Sequence, residues 1–306
     1  MQRVKGFVLP DELKSHFGTN DTRVIRSASP YCVESFSEST RLTALVSCVN
    51  PGIMPLYRGQ RKEWLDSSGR TLLLPSLYRW LDGKRPSPTV VQQRWDSLER
   101  VSDALLSVVD RDLKKGLLSK ESVNYYLLAR RHELVWAILQ HYEYCSTPYL
   151  DVTQSLRMAC MFAFDGASAD DRPCVYMLGF PFVHDKLFRD SNAELTLIRL
   201  LSGMPPVAQR AYYQEGYLVG SELDLEKYTP KHDASQRIVA KFELVGNRHK
   251  WLFDLSAYPR SDIYSDDYFS CIKERVFRES GFGSTCTRTN SSSGNRFPDC
   301  SCFSVI

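Results

Sequence analysis

Long apolar runs are missing from this sequence. No window approaches the roughly 18 uninterrupted apolar residues of a membrane-spanning helix, which argues against a membrane protein. Behind Met1-Gln2-Arg3, the polar residues Asp11, Glu12, Lys14 and His16 break up any signal-peptide core. An excess of one charge is missing too. Lys and Arg number 39 against 36 Asp and Glu, a net charge of +3. That is too little to imply nucleic acid unless the cations gather on one face. There is no C-x-x-C pair, and Cys300-Ser301-Cys302 is too close-set and isolated to make a zinc site. The nine cysteines are odd in number, and most lie in apolar segments such as Met158-Ala159-Cys160-Met161-Phe162. Buried reduced thiols have that pattern, disulfide frameworks do not, and a cytoplasmic setting is expected.

Several catalytic signatures are also lacking. Without G-x-x-x-x-G-K-[ST], G-x-G-x-x-G or G-x-S-x-G, the chain shows no P-loop, Rossmann fingerprint or nucleophile elbow. His132-Glu133 lacks the second histidine of H-E-x-x-H. His141 and Cys145 are spaced to form a thiol–imidazole pair, but nothing else supports a cysteine hydrolase. No internal repeat is visible.

What remains is an ordinary globular composition, 43% apolar and 25% charged over 306 residues, enough for one large domain or two small ones. Apolar spacing predicts helices at 33–47, 90–113, 121–143, 156–164, 193–201, 247–256 and 262–278. Strands are predicted at 6–9, 53–58, 147–152, 175–180, 217–219 and 238–244. The Ser-, Thr- and Gly-rich tail from Gly281 reads as flexible. Strands and helices interleave irregularly, with a pair of long helices inserted early. The expected fold is therefore α+β, a central mixed sheet with that helical insertion and C-terminal helices, rather than a doubly wound sheet.

Three clusters stand out. Tyr57-Arg58-Gly59-Gln60 ends a strand with a guanidinium beside a glycine: a planar fork of donors suited to phosphate, and a place where a ligand approaches the backbone. A surface arginine in a turn is the plain alternative. Gln140-His141-Tyr142 leads to Leu150-Asp151-Val152-Thr153, where Asp151 and Thr153 share a strand face and Thr153 is also a candidate cap for the next helix. Arg210 precedes Gln214-Glu215-Gly216-Tyr217, where Glu215 is a candidate base or hydroxyl-orienting acid.

In this order, the clusters resemble the FRG domain family, named for its (F/Y)RG motif. Leu74-Pro75-Ser76-Leu77-Tyr78-Arg79 resembles that family's following element, and residues 238–275 its closing strand and helices. The resemblance implies an FRG domain over 35–280 with a helical insertion at about 90–143, an N-terminal extension over 1–34 and a tail over 281–306. The chain departs from the pattern where Glu143 takes a glycine's place and Pro148-Tyr149 replaces Arg-Leu. More distantly, the arrangement is similar to ADP-ribosyltransferases.

That similarity implies NAD as cosubstrate, without a metal. Arg58, with Tyr57, Gly59, Gln60, Asp151 and Arg210, would contact NAD. Thr153, Gln214, Glu215 and His141 would join Arg58 in catalysis. The implied setting is a bacterial toxin or anti-phage system acting on a macromolecular acceptor. A non-catalytic sensor binding a nucleotide, nucleic acid or phage component is the alternative. A nuclease using Asp151, Glu215 and Glu243 is a third reading.

Overall fold

The computed structural model describes residues 1–80, 83–168, 170–221, 225–246, 250–251 and 267–281. Two short helices, α1 (Asp11–Phe17) and α2 (Thr22–Ser27), precede strand β1 (Tyr31–Val33) and helix α3 (Phe36–Val49). A reciprocal cap starts α3: Ser35 Oγ accepts from the Glu38 amide at 3.1 Å, and Glu38 accepts from the Glu34 amide at 2.8 Å. Strand β2 (Met54–Gln60) follows, and then α4 (Pro88–Lys114). Pro88 opens α4 behind the Ser87 cap, and Val91, Trp95, Leu98, Ser102, Leu105 and Val109 bury one stripe of it. Helices α5 (Tyr125–Leu128) and α6 (His132–His141) lead to β3 (Tyr149–Thr153), α7 (Leu156–Phe164) and β4 (Cys174–Phe180). After these come β5 (Leu187–Asp190), β6 (Leu195–Arg199), α8 (Leu200–Gly203), α9 (Gln209–Tyr213), β7 (Gly216–Gly220) and β8 (Ile238–Leu244). Helix α10 (Tyr268–Glu279) closes the described chain.

The strands form one eight-stranded mixed sheet, ordered β1-β8-β4-β2-β3-β7-β6-β5. The fold is α+β, as expected. Its centre is weakly stitched. Strands β2 and β4 pair through seven residues and β3 and β7 through five, whereas β2 and β3 share a single pair, Tyr57 with Thr153. Two apolar cores accompany the sheet. One joins Leu56, Val175, Leu178 and Phe242 to Ala159 and Ala163 of α7. The other joins Leu105 and Val108 of α4 to Ile138 of α6, Leu218 of β7 and Ile272 of α10. Residues 1–34 belong to the first core through Phe7, Leu13 and Ile25, and they add β1 to the sheet beside β8.

Some expected elements differ. Residues 6–9 are not a strand; the Asn50 side chain binds both the amide and the carbonyl of Val8 at 2.7 Å and stands in for a neighbouring strand. The 193–201 helix is instead β6 followed by one turn, α8. The run Leu195-Thr196-Leu197-Ile198 has no helical period that distinguishes it from a buried strand, and pairing with β5 and β7 decides it. The 121–143 helix is interrupted, because Asn124 takes a left-handed conformation (φ 48°) and Arg131 an extended one (φ −132°). The 247–256 helix, apart from Lys250 and Trp251, and the tail beyond Gly281 lie outside the described residues.

Candidate functional site

A narrow cleft, partly open to solvent, lies where β2 and β3 part. Tyr57, Arg58 and Gly59 line it from one half of the sheet. Asp151, Val152, Thr153, Gly216 and Tyr217 line it from the other, with His141, Phe162, Leu200 and Gln214 completing it. Residues far apart in sequence are thus gathered at the one place where the sheet is barely paired.

Arg58 is buried, and its Nη1 donates to the Asp151 carbonyl at 2.6 Å. Its Nε has no hydrogen-bond partner among the described residues. Burial pushes the guanidinium down to about 10; the Asp151 charge opposes that shift and the Arg79 charge adds to it. The group stays cationic at neutral pH, with donor capacity unspent. Arg79 is a neighbour in space and not only a member of the Pro-Ser-Arg element: its charge reaches Arg58.

Asp151 is also buried. Gln140 Nε2 donates to its Oδ2 at 2.5 Å, while its Oδ1 has no hydrogen-bond partner and lies 3.9 Å from His141 Nδ1. Burial alone would raise this carboxyl. The adjacent His141, the Arg58 guanidinium and the Gln140 amide outweigh that and hold it below the usual carboxylate range. Gln140 cannot turn over easily, because Thr147 Oγ1 and Ser76 Oγ donate to its Oε1 at 2.5 and 3.3 Å. Its amide must therefore face Asp151. His141, 1% exposed, has no hydrogen-bond partner on either ring nitrogen among the described residues. The sequence singled out His141 and Asp151, but Gln140 drew notice only as part of a motif. Its role becomes visible once Ser76, in a single 3-10 turn (Ser76–Tyr78), and Thr147 are placed beside it.

A depressed carboxyl has a signed consequence. Its contribution to stability is present above the unfolded value, near pH ~3.9, and is lost as pH falls through the folded value. Asp151→Asn is therefore expected to flatten the acid limb of a urea-midpoint profile between about pH 2 and 5. An acid limb as steep as the wild type's would show that Asp151 is not held ionised.

Other expected residues are placed differently. Thr153 does not cap α7; Ser155 does, accepting from the Met158 amide at 3.4 Å. The Thr153 hydroxyl instead donates to the Gln214 carbonyl at 2.8 Å and accepts from the Ser155 amide at 3.0 Å, so it ties β3 to the turn before β7. Glu215 does not line the cleft. Its backbone is left-handed (φ 47°), and its carboxylate accepts from Gln154 at 3.3 Å on the exposed side. Gln214 faces the cleft in its place. Arg210 is not a cleft residue either: its guanidinium lies 5.1 Å from the Tyr142 ring centroid, and its amide donates to Asp267. Gln60 lies outside the lining, at the β2 end opposite Cys174.

Gly59 lines the cleft, but its need for glycine comes from packing. A Cβ there would overlap the Ala159 carbonyl oxygen and sit 2.8 Å from Ala163 N. The close approach is by α7, not by a ligand. The Cys145 thiol is buried and pushed well up by desolvation, so it offers His141 no ready thiolate. Glu243 is paired with Arg172 at 2.7 Å, and no three His, Cys, Asp or Glu gather to hold a metal among the described residues. The two-metal nuclease geometry is thus not formed by Asp151, Glu215 and Glu243. The chain matches no protein-family model, no curated protein and no solved structure.

Proposed function

We propose that the protein binds a nucleotide phosphate through Arg58 and acts as an ADP-ribosyltransferase-like enzyme, using NAD to modify a macromolecule in a toxin or anti-phage setting. One observation carries this reading: a buried guanidinium, cationic and with an unused donor, shares a cleft with a buried carboxylate whose Oδ1 accepts no hydrogen bond among the described residues and has only the His141 ring, at 3.9 Å, beside it. Buried ionic groups left incompletely bonded are costly, and they cluster where a ligand completes them. The cleft is narrow, so only the nicotinamide-ribose half and its phosphate would reach into it, with the remainder lying across the mouth.

Bound NAD would supply the ribose–nicotinamide bond, which breaks with its electron pair leaving on nicotinamide as an acceptor nucleophile bonds to the ribose carbon. Arg58 holds phosphate by charge-assisted hydrogen bonds. Asp151 Oδ1 faces the positive charge that develops on the ribose, the kind of preorganised electrostatic stabilisation that lowers barriers most. His141, with both ring nitrogens unpartnered, takes the proton lost by the acceptor. Gln214 orients ribose hydroxyls from the cleft wall. Thr153 positions β3 and the turn rather than touching substrate.

A second reading has support of its own. Glu215 faces away from the cleft, and Thr153's hydroxyl is already engaged. Both features suit a sensor that binds a nucleotide or phage component without turning it over. Purified protein incubated with NAD and cell extract is expected to release nicotinamide. NAD raising the melting temperature with no release from any extract would establish the sensor instead, and neither effect would overturn both readings.

A further inference from the structure

A second surface, remote in sequence from the Arg58 cleft, has its own chemistry. Residues 110–131, from the end of α4 through α5, hold six basic and three acidic residues. The balance of 6 − 3 = +3 equals the whole chain's net charge of 39 − 36 = +3, so the other residues sum to neutrality. Of the three acids only Glu121 is exposed without an ion-pair partner among the described residues, and it offsets one of the patch's charges; the other two are engaged. Asp112 is buried and bound bidentately by Arg275 of α10 at 2.6 and 2.8 Å. Asp110 pairs with Lys114 at 2.6 Å and accepts from Tyr125 at 3.2 Å, which ties α4 to α5.

Lys115, Lys120, Arg130 and Arg131 are exposed and have no ion-pair partner among the described residues. Tyr126 is 62% exposed beside Lys120. Lys120 Nζ lies 3.5 Å from its hydroxyl and 5.4 Å from its ring centroid, and Arg130 and Arg131 follow directly after α5. The patch is rigidly mounted, since Val123 and Leu128 anchor it in the second core.

We propose that this α4–α5 tip is a contact surface for single-stranded nucleic acid, with the four cations on phosphates and Tyr126 stacking a base. Exposed cations around an exposed aromatic ring are what such strands recognise. An anionic membrane would need an apolar face to insert, and the tip offers little. Leu117 is 67% exposed, but Leu113, Leu118, Tyr125 and Leu127 are turned partly into the core.

The test is fluorescence anisotropy of the full chain with a labelled single-stranded oligonucleotide of about 20 nucleotides. Binding at about 50 mM salt should weaken as salt rises, with a log–log slope of roughly −3 for four phosphates. The triple variant Lys115→Glu/Lys120→Glu/Arg130→Glu should lose at least about 100-fold in affinity with an unchanged melting temperature. Tyr126→Ala should lose about tenfold for single strands and much less for duplex. Arg58→Met should bind as the wild type does, which separates this surface from the cleft. No binding by the wild type, undiminished binding by the triple variant, or loss on Arg58→Met would overturn the proposal. So would binding to phosphatidylserine vesicles in place of the oligonucleotide.

Discussion

Gly59→Ala is expected to destabilise the protein by more than about 4 kcal/mol, the exceptional end of single-substitution effects. The new methyl group would overlap the backbone of Ala159 and press on that of Ala163, and neither can move as a flexible side chain does. Relief requires α7 to withdraw from β2. That helix buries Met158, Ala159, Cys160, Phe162 and Ala163, so its withdrawal opens packed surface across its length. At roughly 2–4 °C per kcal/mol for a chain of this class, the melting temperature should fall by about 8–16 °C. Gly52→Ala is the control. Nothing lies within 4 Å of its Cβ position, so it should stay within about 0.5 kcal/mol of wild type. A Gly59→Ala protein as stable as that control would show that α7 does not approach β2 so closely.

Arg58→Met should behave in the opposite way, sparing the fold and removing ligand binding. Lowering a guanidinium from 12.5 to about 10 corresponds to roughly 3 kcal/mol spent on keeping it charged and buried, at 1.36 kcal/mol per unit. The bond to the Asp151 carbonyl offsets part of that, at about 1.5–3 kcal/mol for a charged donor. Methionine removes both terms and fills similar space, while His141 and Gln140 stay beside the Asp151 carboxylate that loses the Arg58 charge, so stability should fall by no more than about 2 kcal/mol. The phosphate contact has no such compensation. Losing its charge-assisted hydrogen bonds should weaken NAD-induced thermal stabilisation and nicotinamide release by about 100- to 1,000-fold. An arginine with a purely structural role gives the reverse pattern: several kcal/mol of stability lost and ligand response kept. Urea unfolding and thermal shift on the same two proteins separate the cases.

The sequence made some of this legible, for identifiable reasons. Helix α7 and strand β8 were read at their observed bounds because their apolar residues repeat with an unambiguous period. Arg58, His141, Asp151 and Gln214 belonged to the polar clusters at strands and helix ends, and the cleft gathers all four. Side-chain direction was not legible. Whether Glu215 or Gln214 faces the cleft depends on a left-handed φ at Glu215, a conformation that acidic residues adopt only when tertiary structure requires it. Gly59 was misread for a related reason. Glycine reports close approach but not the approaching group, and here α7 occupies the place assigned to a ligand. Gln140's importance depends on Ser76 and Thr147, whose proximity to it no local pattern encodes.

The single residue pair between β2 and β3 bears on how the molecule opens. A strand boundary with one bridged pair transmits little cooperativity, so the half-sheet β1-β8-β4-β2 and the half-sheet β3-β7-β6-β5 are suited to open as separate units. The first apolar core spans that line, with Leu56 of β2, Val152 of β3 and Val219 of β7 in it, so packing rather than hydrogen bonding joins the halves, and amide exchange should be fastest along the line. A ligand gripped by Arg58 on one side and by Asp151 and Gln214 on the other would fasten the two together. Its binding energy would then appear as slowed exchange throughout both half-sheets, well beyond the residues it touches.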